Sequence, residues 1–190
     1  MKLKLKTQFR EALSYTKESS SYIYSVLWIF IASAIFGLAF KSNLTFLEEI
    51  LKELIQRTMN LNTQEMIFFI LQNNLQSALL SIFFGILLGI FPLFSTISNG
   101  IILGYVLGRT LEVSSILSWW RLLPHGIFEL PAIFISFGLG IKLGFSLLVK
   151  NKMKTLKTRF YKTFNAFLMI IIPLLIIAAL IEGILISLLP

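Results

Sequence analysis

Five apolar runs, each about long enough to cross a bilayer, decide what this chain can fold into. The first, residues 22–40, carries no charge, and the others lie at 73–93, where Pro92 is expected to mark the end, and at 95–111, 124–149 and 164–189. About 20 apolar residues suffice for a helical crossing. Hydrocarbon offers no partner to a free N–H or C=O, so each run is predicted to be a helix that satisfies its own backbone. The runs fill most of the 190 residues, which are 56% hydrophobic with a mean hydropathy of +0.84. The expected fold class is all-α: a polytopic membrane helix bundle of about five transmembrane helices with amphipathic interfacial helices. Two units are expected, a cytoplasmic basic amphipathic segment at 1–21 and a single transmembrane helical domain at 22–190.

The segments between the runs orient the bundle. Leu5, Phe9, Ala12, Leu13 and Thr16 fall at helical spacing among Lys2, Lys4, Lys6, Arg10 and Lys17, the pattern of a helix lying on an anionic surface. Phe46, Leu47, Ile50, Leu51, Leu54 and Ile55 form a stripe opposite charged residues, so 46–59 reads as an external amphipathic helix. Thr45 with Glu48, and Asn62 with Glu65, have the spacing of helix-starting capping boxes. Residues 150–163 form a basic loop with six Lys/Arg and no acid. With the five in 1–21, that is eleven of seventeen basic residues on one side of a five-span chain. The positive-inside rule makes that side cytoplasmic and the C-terminus external. The net charge of +8 is thereby explained without nucleic acid. Trp119, Trp120 and Arg121 read as an interfacial anchor.

Catalytic options are narrow. The chain has no cysteine and no aspartate, which excludes disulfides, thiolate metal sites and a Ser-His-Asp triad. Ser136 and Ser146 have no base nearby in sequence. What stands out is Leu123–Ala132, Leu-Pro-His-Gly-Ile-Phe-Glu-Leu-Pro-Ala, at the opening of the fourth run. It holds the only histidine, His125, four residues before Glu129 on one helical face. Pro131 lacks the N–H that would bond the Ile127 carbonyl, so a kink or a free carbonyl is expected there. Ionisable groups inside spans are costly and call for partners. Glu129 lies roughly 7 Å in from Pro124 and Glu182 roughly 12 Å back from Pro190, at ~1.5 Å per residue. Asn73 and Asn74 open the second run, whereas Asn99 is expected near the inner end. Asn73 or Asn74, His125, Glu129 and Glu182 are therefore expected to form one buried polar cluster in the outer part of the bundle. His125, Glu129 and Glu182 are also the candidate ligands should a metal bind; no cofactor is otherwise implied.

Small residues recur at every fourth position of three runs: Asn73, Ser77, Ser81, Gly85 and Gly89; Thr96, Gly100, Gly104 and Gly108; Ala132, Ser136, Gly140 and Gly144. Such ridges let helix backbones approach closely in lipid. Gly85, Gly89, Gly100, Gly104, Gly140 and Gly144 are expected at helix–helix contacts.

These features, with Asn73-Asn74, Asn99-Gly100, the 123–132 string and Ile181-Glu182-Gly183 in order and spacing, resemble the stage II sporulation protein M family over about 60–190. The resemblance implies an α-helical membrane protein. In spore formers it implies an anchor that recruits peptidoglycan-degrading partners. Three functions are weighed, and the first, a membrane scaffold or anchor, is the expected one, ahead of the transporter and then the enzyme. A membrane scaffold binding other membrane or surface proteins fits the lack of a catalytic motif. A proton- or cation-coupled transporter or permease component fits polar residues inside the spans, and five spans would then call for a homo-oligomer. An intramembrane metalloenzyme lacks the usual His-Glu-x-x-His signature. The expected location is the cell membrane, multi-pass, in contact with the lipid bilayer.

Overall fold

The structure, a computed structural model, describes residues 2–113 and 123–188. The Trp119–Trp120–Arg121 anchor lies outside the described residues, as does the side chain of His125. The described chain is all-α: α1 (Lys2–Glu18), α2 (Ser20–Ala39), α3 (Phe46–Thr58), α4 (Thr63–Gly85), α5 (Ile90–Val113), α6 (Leu123–Gly144), α7 (Lys152–Ala166) and α8 (Ile172–Leu188). Among the described residues five stretches are long and apolar enough to cross a membrane: Ser20–Ala39, Thr63–Gly85, Ile90–Glu112, Gly126–Leu148 and Lys152–Ile186.

The second crossing differs from the expected 73–93. Asn62 Oδ1 accepts from the Glu65 backbone N–H at 3.0 Å, and the Asn62 backbone N–H donates to Glu65 Oε2 at 2.9 Å, so α4 starts ten residues earlier. It stops at Gly85, and a turn leads to α5 through Leu88 and Gly89, both with left-handed backbone at φ 55° and 74°. That conformation costs a leucine roughly 1–2 kcal/mol. Pro92 does not end a span; it occupies the first turn of α5, where its missing N–H is no loss. Gly89 therefore belongs to this turn rather than to the ridge of the second span. The Thr45–Glu48 box does not form, because Thr45 is already helical. Glu48 instead pairs with Lys52 at 3.2 Å and Arg109 at 3.5 Å.

The basic stretch 150–163 is largely helix rather than loop. Its lysines, Met153, Leu156 and Arg159 are good helix formers uninterrupted by Gly or Pro. α7 runs into α8 through a π-turn at Phe167–Ile171. Pro173 explains the turn: its ring would clash with the Met169 carbonyl, which the wider turn relieves. α6 continues through Pro131.

Packing follows the small residues. On α5, Gly100, Gly104 and Gly108 meet Phe30, Ala34 and Lys41 in the same chain order, so α5 lies parallel to α2. A Cβ on Gly100 would sit 2.6 Å from the Phe30 carbonyl oxygen. α4 and α6 form a second parallel pair. Ser136 donates to the Ala78 carbonyl at 2.9 Å, Gly140 rests on Ser81, and Gly144 on Gly85. α8 crosses α4 where Gly183 meets Ile67, and Gly138 of α6 meets Ile23 of α2. Ala78, Ile82, Ile133, Phe137, Leu139 and Leu175 fill the core between them.

Candidate functional site

Three helices converge on the acidic pair. α6 presents Glu129, α4 presents Asn74 (7% exposed) and α8 presents Glu182. The Glu129 carboxyl faces the Asn74 side chain and the Glu182 carboxyl, within reach of each. The second oxygen of Glu182, Oε2, is buried with no hydrogen-bond partner among the described residues. Two carboxylates in contact away from water repel, so the arrangement calls for a proton or another cation between them.

The pair opens onto a cavity of about 680 Å³. Asn73, Asn74 and Ser77 of α4 and Asn99 of α5 complete its polar part. Ile102, Leu103, Val106 and Leu107 of α5, Ile127, Leu130 and Ile133 of α6, Phe30 of α2 and Leu54 of α3 supply apolar walls. Asn73 stands exposed on the wall while Asn74 makes the contact with Glu129.

Depth differs from expectation. Asn74 is eleven residues into the 23-residue α4, near its midpoint and roughly 16 Å from its start at ~1.5 Å per residue. Asn99 is nine residues into α5, not at an end, and joins the site that the sequence reading excluded it from. Its Nδ2 donates to the Ser95 carbonyl at 2.8 Å, leaving its oxygen free to accept. The signal was present, an amide in an apolar run, but reading Pro92 as a terminator displaced it. His125 sits on the first turn of α6. Among the described residues no group of three or more His, Cys, Asp or Glu could hold a metal. The described chain brings two carboxylates and amides to this point.

A second polar centre lies at the opposite end of the bundle. Lys142 of α6 is 4% exposed. Its ammonium donates to Glu18 Oε1 and Ser19 Oγ, both at 2.9 Å, and lies 4.3 Å from the Tyr15 ring centroid. Arg159 of α7 donates to the Lys142 carbonyl at 2.7 Å. The hydrogen bond from Lys142 holds the Glu18 carboxyl below the usual carboxylate range, and burial pushes the Tyr15 phenol above its ordinary value. This network fastens α1 to α6 and α7. A lone lysine inside a 26-residue apolar run was the available signal.

Residues 26–185 match the family described as stage II sporulation protein M. The chain belongs to that family. A relative from Methanocaldococcus jannaschii, uncharacterized protein MJ0706, is 34% identical over 136 residues, which cover 69% of this chain and 60% of that one. The chain thus spans about 60% of that relative's length. No solved structure matches it. The stage II sporulation protein M match reaches into all five crossings, takes in the acidic pair and the cavity, and leaves α1 and the start of α2 outside. This family member is a multi-pass membrane protein.

Proposed function

We propose that this member of the family is a proton- or cation-coupled permease component in which Glu129, Glu182 and Asn74 form the coupling site. The observation that carries the reading is the contact between two carboxyls on different helices at the edge of a membrane-embedded cavity. Buried acids inside spans mark ion and proton paths. The acid-poor basic segments support a cytoplasmic N-terminus and an external C-terminus in the cell membrane. Five spans are few for a single transporter, which supports a homo-oligomer as the working unit. The test is reconstitution in liposomes carrying a pH-sensitive dye, with proton and cation flux measured for the wild type, Glu129→Gln and Glu182→Gln. Flux in the wild type that either substitution abolishes supports the reading.

A second reading is a scaffold that binds other membrane or surface proteins. It is favoured by α3, whose Phe46, Ile50 and Ile55 are all exposed beside a charged face. No flux in the liposomes, together with a stoichiometric protein partner co-purifying with the wild type and lost on Ile50→Glu, would support this one.

A further inference from the structure

We propose that the cavity binds a small amphiphilic primary or secondary amine, its ammonium head between Glu129 and Glu182 and its alkyl part against α5 and α6. The proposal rests on the coupling-site reading above and names what fills the space around that site.

Size is the first argument. Small-molecule sites run to ~300–1,000 Å³, whereas a water occupies ~30 Å³ of liquid volume. At about 680 Å³ the cavity is far larger than a bare ion with a few waters requires.

Charge is the second. Both ionisable side chains among the described lining residues are acids, with no Lys or Arg beside them. An anionic head would meet repulsion, and a cationic head meets a counter-charge. Donor count then narrows the cation. Glu182 Oε2 is a buried acceptor lacking a donor, and Asn99 has committed its amine to Ser95. Glu182 Oε2 thus calls for a donor, and a primary or secondary ammonium brings three or two N–H groups. A quaternary ammonium has none and is held by aromatic cages. Phe30 is the one aromatic ring among the described lining residues.

The third argument is the division of the walls. Polar groups gather around Glu129, while Leu103, Val106, Leu107 and Ile133 offer an aliphatic surface from α5 and α6. A molecule with one charged end and one apolar end satisfies both parts; a fully hydrophilic cation leaves the aliphatic part wet. Ile127, 63% exposed, stands on the lining at the flank of the bundle, where an amphiphile dissolved in the bilayer arrives.

The test uses the full-length protein in a maltoside detergent. Binding of n-hexylamine is measured by calorimetry and by the shift in melting temperature. Hexanol, hexyltrimethylammonium, sodium and magnesium serve as separate probes. The expected result is saturable binding of hexylamine, absent for hexanol and hexyltrimethylammonium. Glu182→Gln should weaken it by at least about tenfold, as truncating one partner of a buried charge pair does. Glu18→Gln, at the far end, should leave it unchanged. Leu103→Trp fills the aliphatic part and should abolish hexylamine binding while leaving proton or metal-ion responses intact. No binding of hexylamine to the wild type, or equal binding of hexanol, overturns the amine proposal. If protons or metal ions still act through Glu129 and Glu182 in that case, the coupling site stands without it. If Glu129→Gln and Glu182→Gln alter no ligand response, both readings fall.

Discussion

Lys142 and Glu18 illustrate how one buried charge sets the energetics around it. Glu18 is largely exposed and Lys142 is not. Removing the acid strands an ammonium in the interior, whereas removing the lysine takes the buried charge away with it. Glu18→Gln is therefore expected to destabilise the protein by about 1 kcal/mol, kept modest by water at the acid. Lys142→Met should cost less, and the double variant should resemble Lys142→Met; thermal unfolding in detergent gives the order. The pH dependence has a definite sign. The folded carboxyl of Glu18 lies below its ordinary value, so its contribution is complete above that value and is lost as pH falls through the lowered one. Hydrogen exchange along α1 should accelerate on acidification in the wild type and show less change in Glu18→Gln. At this scale the sequence announced Glu129 and Glu182 clearly, because acids in apolar runs have few innocent explanations. It announced Lys142 as well, by the same rule. What it did not contain was which of Asn73 and Asn74 faces Glu129, a matter of helix rotation that only packing fixes.

Helices whose backbones touch tolerate no added atom. A methyl group on Gly104 would fall onto the Ala34 carbonyl of α2, while one on Gly126 would meet only the flexible end of Leu130 at 3.5 Å. Gly104→Ala should cost at least about 2 kcal/mol and Gly126→Ala should stay within about 0.5 kcal/mol, the range of ordinary substitutions away from close contacts. Chemical denaturation in mixed micelles would compare them, and equal stabilities would remove the close-packing account of α2 and α5. Gly89 is doubly restricted: it has a left-handed backbone and lies against Ile141. The ridges of small residues were plain in the sequence because their period matches the helix. The ends of helices were not. Proline is compatible with both a stop and a first turn, so Pro92 gave no direction by itself. The Asn62–Glu65 box was the better guide, since α4 from Thr63 uses up its length by Gly85. Lysine-rich composition at 150–163 spoke for a cytoplasmic location but was silent on helix against loop.

At the scale of the whole molecule, orientation is the open coordinate, and charge is the argument for it. Single cysteines at Lys154 and Lys52 in this cysteine-free chain should report opposite sides of the membrane to an impermeant thiol reagent, with position 52 labelled from outside. External labelling at position 154 but not at 52 would invert the arrangement. The two parallel pairs carry a mechanical consequence. In α2–α5 and in α4–α6 backbone already rests on backbone, so neither pair has slack to give up. Each is expected to behave as a single stiff plank. The cavity lies in the seam between the planks, where Gly138 of α6 rests on Ile23 of α2. An occupant that changes the width of the seam is therefore expected to tilt one plank against the other.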